Sequence, residues 1–368
     1  MKRRQLIRAG AAGSVAAAAA MVASSFPKPA IAQSMPEIKW RMTSSFPKSL
    51  DTLWGGAELI AKRVADATDN KFQIRTFAAG EIVPGLQVLD AVQANTVEMG
   101  HTASYYYFGK DETFTFATAL PFGMNTRMIN AWMYHGGGND LLNEFYKGYN
   151  VYHLPGGHTG AQWGGWYRKE IKTPDDLKGL KMRIGGFAGR IMTKVGVVPQ
   201  QLAGGDIYPA LERGTIDAAE WVGPYDDEKL GFHKVAKYFY YPGWWEGSAM
   251  LSTMFNIGEW NKLPKSYQNV MAAACAEATG WMVAKYDAGH PPALKRLVAG
   301  GAVPSAFPVP VLEACYAAAQ ELYKEVNAKN ANFKKVYDNY LAFQKDQNLV
   351  AQFAENTFDR FMFSKMRG

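Results

Sequence analysis

Residues 158–227 read HTGAQWGGWYRKEIKTPDDLKGLKMRIGGFAGRIMTKVGVVPQQLAGGDIYPALERGTIDAAEWVGPYDD. Two strand-like pieces in this stretch each end on a charged side chain at a turn. Leu180 to Ile184 carries Arg183, and Thr215 to Ala219 runs into Glu220 and Trp221. Each piece is the output of a strand–helix unit, and in open α/β sheets ligands sit in the crevice at the carboxyl ends of strands. A guanidinium and a carboxylate fixed at two such ends point to a small-molecule site. Gly185, Gly186 and Gly189 follow Arg183 and leave backbone free to approach a ligand closely, and a helix from Phe187 aims its N-terminus at the same place.

Upstream, Ile38 to Ser44 alternates as a strand and Leu50 to Thr68 is an amphipathic helix. Phe72 to Phe77 is a strand, Leu86 to Ala94 a helix and Val97 to His101 a buried strand. This β-α-β-α-β rhythm predicts a parallel sheet with helices on its faces. The aromatic run Tyr105 to Phe108 follows, then Ala131 to Gly148, helical around Gly136, Gly137 and Gly138. Thr173 is an N-cap with Pro174 at the first helical position. Asp206 is expected to cap a short helix that Gly214 closes. Beyond Trp244-Trp245-Glu246-Gly247 the chain turns into long helices such as Val309 to Ala328.

The first 32 residues have the anatomy of an export signal, with Lys2, Arg3 and Arg4 before an Ala-rich apolar run and Ala30-Ile31-Ala32 as cleavage site. The Arg3-Arg4 pair matches twin-arginine export, with a general secretory signal as the alternative. The whole chain has 40 Lys and Arg against 33 Asp and Glu. The signal holds five of the basic residues and no acid, so its removal leaves 35 against 33 and a net charge of +2. That balance gives no nucleic-acid or membrane-surface footprint. The two cysteines, Cys275 and Cys315, read as separate buried thiols in helices rather than as a bridge.

Arg183 suits a carboxylate ligand because its planar fork meets both oxygens; an ordinary strand-end arginine is the alternative. Glu220 at the end of an apolar strand needs a partner, either Arg183 or a cation held by oxygens. Gln162, between Ala161 and Trp163, adds an uncharged oxygen. Carboxylate, amide and backbone oxygens are hard ligands for a group-1 or group-2 cation. The histidines, His101 among them, have no zinc spacing. No nucleophile elbow accompanies His135-Gly136-Gly137-Gly138, and no phosphate-binding glycine loop is present. Tyr105 to Phe108 and Trp244-Trp245 wall an apolar pocket or simply pack a core.

The run from Trp166 through Trp221 resembles the DctP-type solute-binding proteins of TRAP transporters. It has a threonine-proline-acidic helix, D-L-K-G-L-K-M-R, a helix, and a glycine-closed turn before D-x-x-E. The resemblance covers essentially the whole mature chain. It is closest to the subgroup that binds 2-oxoacids, on S-S-F-P-K-S-L-D-T from Ser44, A-G-E-I-V-P-G-L-Q from Ala79, G-G-D-I-Y-P-A-L-E from Gly204 and E-W-V-G-P-Y-D-D-E-K-L-G-F from Glu220. It implies a two-lobed, hinged periplasmic α/β binding protein with a long lobe-spanning helix. The lobes would take 33–157 and 158–246, each with part of 247–310, and 311–368 would be C-terminal helices able to swap into a homodimer. The resemblance also implies that Arg183 grips the substrate carboxylate, with Gln162, Glu246, Tyr107 and His101 beside the substrate. Gln162, Glu220 and the Trp221 carbonyl would hold a bridging metal ion, sodium ahead of calcium. The implied function is capture of a 2-oxo monocarboxylate such as pyruvate in the periplasm, for delivery to a membrane permease without catalysis. The alternatives are another organic acid (lactate, a sugar acid, an aromatic acid or a dicarboxylate) and, further off, an exported hydrolase.

Overall fold

A computed structural model describes residues 35–366; the export segment expected over 1–32 lies outside them. Among the described residues the strands are β1 (Ile38–Ser44), β2 (Phe72–Phe77), β3 (Met99–Thr102), β4 (Val151–His158), β5 (Trp166–Tyr167), β6 (Lys181–Arg183), β7 (Val198–Gln200), β8 (Ala218–Ala219), β9 (Tyr238–Tyr241), β10 (Met250–Asn256) and β11 (Val303–Ala306). They form a five-stranded sheet in the order β2-β1-β3-β10-β4 and a six-stranded sheet in the order β11-β9-β5-β8-β6-β7. The chain leaves the first sheet after β4, builds most of the second, and returns through β10, so each lobe is assembled from separated segments.

The local chemistry explains the layers. β1, β2 and β3 pair in parallel, as the β-α-β-α-β rhythm predicts. The central strands β3 and β10 are buried at every position, as strands covered on both faces must be. The helix Leu53–Ala67 buries Leu53, Trp54, Ala57, Ile60, Ala61 and Val64, a stripe at three- and four-residue spacing. Helix Lys265–Ala299 is 35 residues long, about 50 Å at 1.5 Å per residue. It packs on Leu53–Ala67 and β4 at the first sheet and on the helix Pro224–Leu230 at the second, so it spans both lobes.

Two local expectations change. The strand expected from Thr215 shrinks to Ala218–Ala219, because the N–H groups of Thr215 and Ile216 both turn back to the Ala210 carbonyl at the end of helix Gly204–Glu212. Asp206 does not cap that helix. Ala203 is the N-cap residue and Asp206 lies in the first turn, where its charge favours the positive end of the helix dipole. The expected N-cap at Thr173 forms, as a capping box with Asp176 at the turn Pro174–Leu177. Cys275 and Cys315 are free and buried in two separate helices. The chain ends in the helices Val309–Asn327, Ala331–Ala351 and Glu355–Met366. The last of these buries no residue and exposes Phe358, Phe361 and Phe363.

Candidate functional site

The parallel register of β6 and β8 sets Arg183 beside Ala219. The following residue, Glu220, therefore folds its carboxylate onto the guanidinium. Arg183 Nη1 donates to the Glu220 carbonyl at 2.9 Å and also to Glu220 Oε1, and Nε donates to the Leu202 carbonyl at 3.1 Å. The Gly185 N–H donates to the same Oε1 at 2.6 Å. Both side chains are 1% exposed. The ion-pair reading of Glu220 is thus realised, but incompletely: Arg183 Nη2 and Glu220 Oε2 are buried without a partner. The Arg183 guanidinium also lies over the Trp221 ring, 4.9 Å from its centroid, a cation–π contact that fixes the plane of the fork.

Two further loops are laced to this pair through the backbone. Gln162 N–H donates to the Glu246 carbonyl at 3.0 Å, Gly243 N–H to the Gln162 carbonyl at 3.0 Å, and Trp163 N–H to the Val222 carbonyl at 3.0 Å. These bonds bring Gln162, Trp221 and Glu246 together with Arg183 and Glu220. Glu246 is buried and its Oε1 has no partner. Burial, and then the Glu220 charge, hold the Glu246 carboxyl well above the usual range. Burial also raises Glu220, against the pull of Arg183.

A narrow cavity adjoins these groups, with Phe46, Tyr105, Tyr106, Gln162, Trp221 and Leu251 among its walls. Tyr107 and His101 are not in the lining, and neither are Arg183, Glu220 and Glu246. The Tyr107 hydroxyl accepts from the Leu89 N–H at 3.2 Å and pairs with Thr102 Oγ1 at 2.8 Å. His101 Nε2 bonds the Gly156 carbonyl at 2.9 Å, and burial pushes its ring down to about 4, so it is neutral. Trp244 stacks on Phe122 and Trp245 packs against Phe307, both as core. The aromatic run does contribute, through Tyr105 and Tyr106. It is wound as a tight turn, Ser104–Tyr107, and three residues per turn separate the directions of neighbours.

The donor set fits a hard cation. The Gln162 side-chain amide sits against the Trp221 carbonyl oxygen and against Glu246 Oε2 at 2.5 Å. With nitrogen turned inward it donates to both and accepts from Thr159 Oγ1 at 3.2 Å. With oxygen inward, three acceptors meet here, the Gln162 amide, the Trp221 carbonyl and Glu246 Oε2, and Glu246 Oε1 and Glu220 Oε2 are buried without a partner. Carboxylate, amide and carbonyl oxygens without nitrogen or sulfur suit sodium or calcium and disfavour zinc.

Residues 43–330 match the model of the DctP family, described as bacterial extracellular solute-binding protein, family 7. The chain is 48% identical over 364 residues to the monocarboxylate 2-oxoacid-binding periplasmic protein of Nostoc sp. (strain PCC 7120), covering 99% of this chain and all of that one. A TRAP transporter solute-binding protein of Bordetella bronchiseptica RB50 superposes with a TM-score of 0.89 at 52% identity, over 90% of this chain and 98% of that one. That structure is described as a mixed-occupancy dimer, with copurified calcium and picolinate in one active site and the other apo. A TRAP periplasmic solute-binding protein of Pseudoalteromonas atlantica T6c, with bound sodium and pyruvate, superposes with a TM-score of 0.85 at 37% identity, over 88% of this chain and 99% of that one.

Proposed function

Since the chain belongs to the DctP family of bacterial extracellular solute-binding proteins, which are receptors and not enzymes, we propose that it captures a 2-oxo monocarboxylate of the pyruvate class in the periplasm and delivers it to the membrane subunits of a TRAP transporter. The observation that carries this reading is the unpartnered Nη2 of Arg183, buried beside two carboxylates that each keep one unpartnered oxygen. A guanidinium with a free donor in a dry site is built to receive an anion, and each charge-assisted hydrogen bond there contributes about 1.5–3 kcal/mol. The 48% identical 2-oxoacid-binding relative and the pyruvate-bound neighbour support the same substrate class.

Gln162, Glu220 and the Trp221 carbonyl would hold the cation, with Glu246 alongside. When bound, the cation supplies positive charge between the two carboxylates and the incoming anion. The charge it must supply depends on whether Glu246 keeps a proton. Arg183 brings one positive charge, Glu220 and Glu246 two negative ones, and a monocarboxylate a third. A divalent ion closes that sum, while sodium leaves one negative charge buried unless Glu246 keeps a proton. Uncompensated buried charge costs several kcal/mol, and burial already holds the Glu246 carboxyl well above the usual range: with Glu246 protonated sodium closes the sum, and with Glu246 ionised calcium does.

Thermal unfolding of the chain without residues 1–32 tests substrate and cation together. Pyruvate, 2-oxobutyrate, lactate, succinate and a sugar acid are each run with calcium, with sodium, and with chelator in sodium-free buffer. A ligand that binds only the folded state stabilises it by about 2.7 kcal/mol at a hundredfold excess over Kd. The expected result is a raised midpoint with 2-oxo monocarboxylates that depends on one of the two cations and is lost with chelator in sodium-free buffer. Stabilisation by succinate or the sugar acid alone overturns the substrate class.

The final helix suggests the quaternary state. Phe353, Phe358, Phe361, Phe363 and Met366 are all more than half exposed, a large apolar surface for a protein in water. A second copy covering this face accounts for it, and the Bordetella neighbour is a dimer. Truncation after Gln352 is expected to give a monomer by sedimentation velocity, with ligand binding retained. A dimer that survives the truncation excludes this helix as the interface.

A further inference from the structure

The glycines after Arg183 meet a side chain rather than leaving open room. A Cβ placed on Gly185 would stand 2.9 Å from the Tyr105 hydroxyl oxygen and 3.1 Å from its Cζ. One placed on Gly186, whose φ is +65°, would overlap the Tyr105 ring at Cδ2. Tyr105 follows β3 of the first sheet, and the glycines follow β6 of the second. The same junction carries a bridging amide: Gln201 Nε2 donates to the Tyr106 carbonyl at 2.9 Å, and Gln201 Oε1 accepts from the Gly186 N–H at 2.9 Å. Thus the Tyr105–Tyr106 turn rests with both ring and backbone on a seat in the other lobe, next to Arg183 and Glu220.

We propose that this seat, Gly185, Gly186 and Gln201 receiving the Tyr105–Tyr106 turn, is the closure contact that sets ligand affinity and limits ligand size, with Gln201 as a positioning residue. The inference rests on the solute-binding reading above. Other links between the lobes include the buried Phe46–Trp221 ring contact, at 6.4 Å between centroids, and ion pairs near the surface. Lys229 pairs with Asp51, and Arg190 with Glu112 at 2.5 Å, and their side chains are 25–50% exposed. Such pairs are screened and contribute little. The seat differs from those pairs, because its glycines and both tyrosines are buried and a Cβ at either glycine would meet the Tyr105 ring. Tyr105 also walls the cavity beside Gln162 and Trp221. A ligand too bulky for that cavity therefore holds the ring off its seat, and the lobes cannot close over it.

Paired spin labels read closure directly. Glu58→Cys and Asp175→Cys are exposed, one on each lobe, while Cys275 and Cys315 are buried and stay unlabelled. Unlabelled protein in excess restricts the signal to distances within one chain. Distances and pyruvate affinity, with calcium present, are compared for the parent, Gly185→Ala, Tyr105→Leu and the double variant. Overpacking at a tight contact is expected to cut the short-distance population of Gly185→Ala and raise its Kd roughly tenfold. In the Tyr105→Leu background the same alanine is expected to change neither by more than about twofold, because its collision partner is gone. A Gly185→Ala protein that closes and binds like the parent overturns the proposal, as do effects of the two substitutions that simply add. If Gly185→Ala does not fold, Gln201→Ala takes its place: it removes both bridging bonds and must also widen the distances. Failure of the parent to close on any 2-oxo acid counts against the substrate class. The ligand-free distances of parent and Gly185→Ala then judge the seat alone, and equal distances overturn it.

Discussion

Arg183→Met is expected to lose 2-oxo acid binding by at least about a hundredfold, since two charge-assisted hydrogen bonds at about 1.5–3 kcal/mol each disappear with the positive charge. The substitution has a second consequence. Glu220 is fully buried, and without the guanidinium its carboxylate has no counter-charge, which costs about 3–5 kcal/mol of stability. A loss of binding by the single variant therefore confounds recognition with folding. Arg183→Met combined with Glu220→Gln removes both charges and restores a neutral, well-filled site. Calorimetric titration of pyruvate against both variants, with circular dichroism and melting as controls, separates the two effects. The double variant is expected to fold near the parent's stability and still not bind. Micromolar affinity in that variant would mean that the anion is held elsewhere.

Strand-end logic made Arg183 and Glu220 legible, because each follows a short apolar piece and is followed by a turn. The structure joins them through the β6–β8 register. Gln162 and Glu246 stood out less, since each lies in a loop whose position depends on cross-links such as Gln162 N–H to the Glu246 carbonyl; Gln162 was read as an oxygen donor from its residue type, and Glu246 came only with the resemblance. The aromatic run was visible, but which rings face the cleft was not. Tyr107 turns to Leu89 and Thr102, while Tyr105 and Tyr106 line the cavity. That partition is set by a single turn of helix and by packing from the second lobe. The same limit applied to Gly185 and Gly186. Their sequence announces a close approach, but only the fold shows that the approaching group is Tyr105. The strand from Thr215 was overlong because a helix-closing bond to Ala210 is a competition between two structures that local pattern does not resolve. The parallel sheet was legible because its signal extends over many residues, whereas the spanning helix came with the resemblance.

Glu220→Gln distinguishes two roles that this carboxylate can have. In the structure Glu220 Oε1 already occupies the guanidinium that the ligand needs, accepting from Arg183 Nη1 and from the Gly185 N–H. If Glu220 were only an internal partner of Arg183, it would compete with the ligand. The neutral amide would then loosen that competition, and pyruvate would bind more tightly. If Glu220 is instead a cation ligand, its amide loses one of the negative charges that make the site attractive to a cation, and binding weakens. The second oxygen, Oε2, which is buried and left unpartnered by Arg183, supports the second role. The expected outcome is a loss of pyruvate affinity of about a hundredfold or more, equivalent to roughly 2.7 kcal/mol. The residual affinity should respond far less to chelation than the parent's does. Titrating pyruvate into both proteins, with calcium and with chelator, reads both quantities. Tighter binding by Glu220→Gln would assign Glu220 to Arg183 alone and remove it from the cation site. An unchanged response to chelator would keep the cation and move its anchoring carboxylate to Glu246.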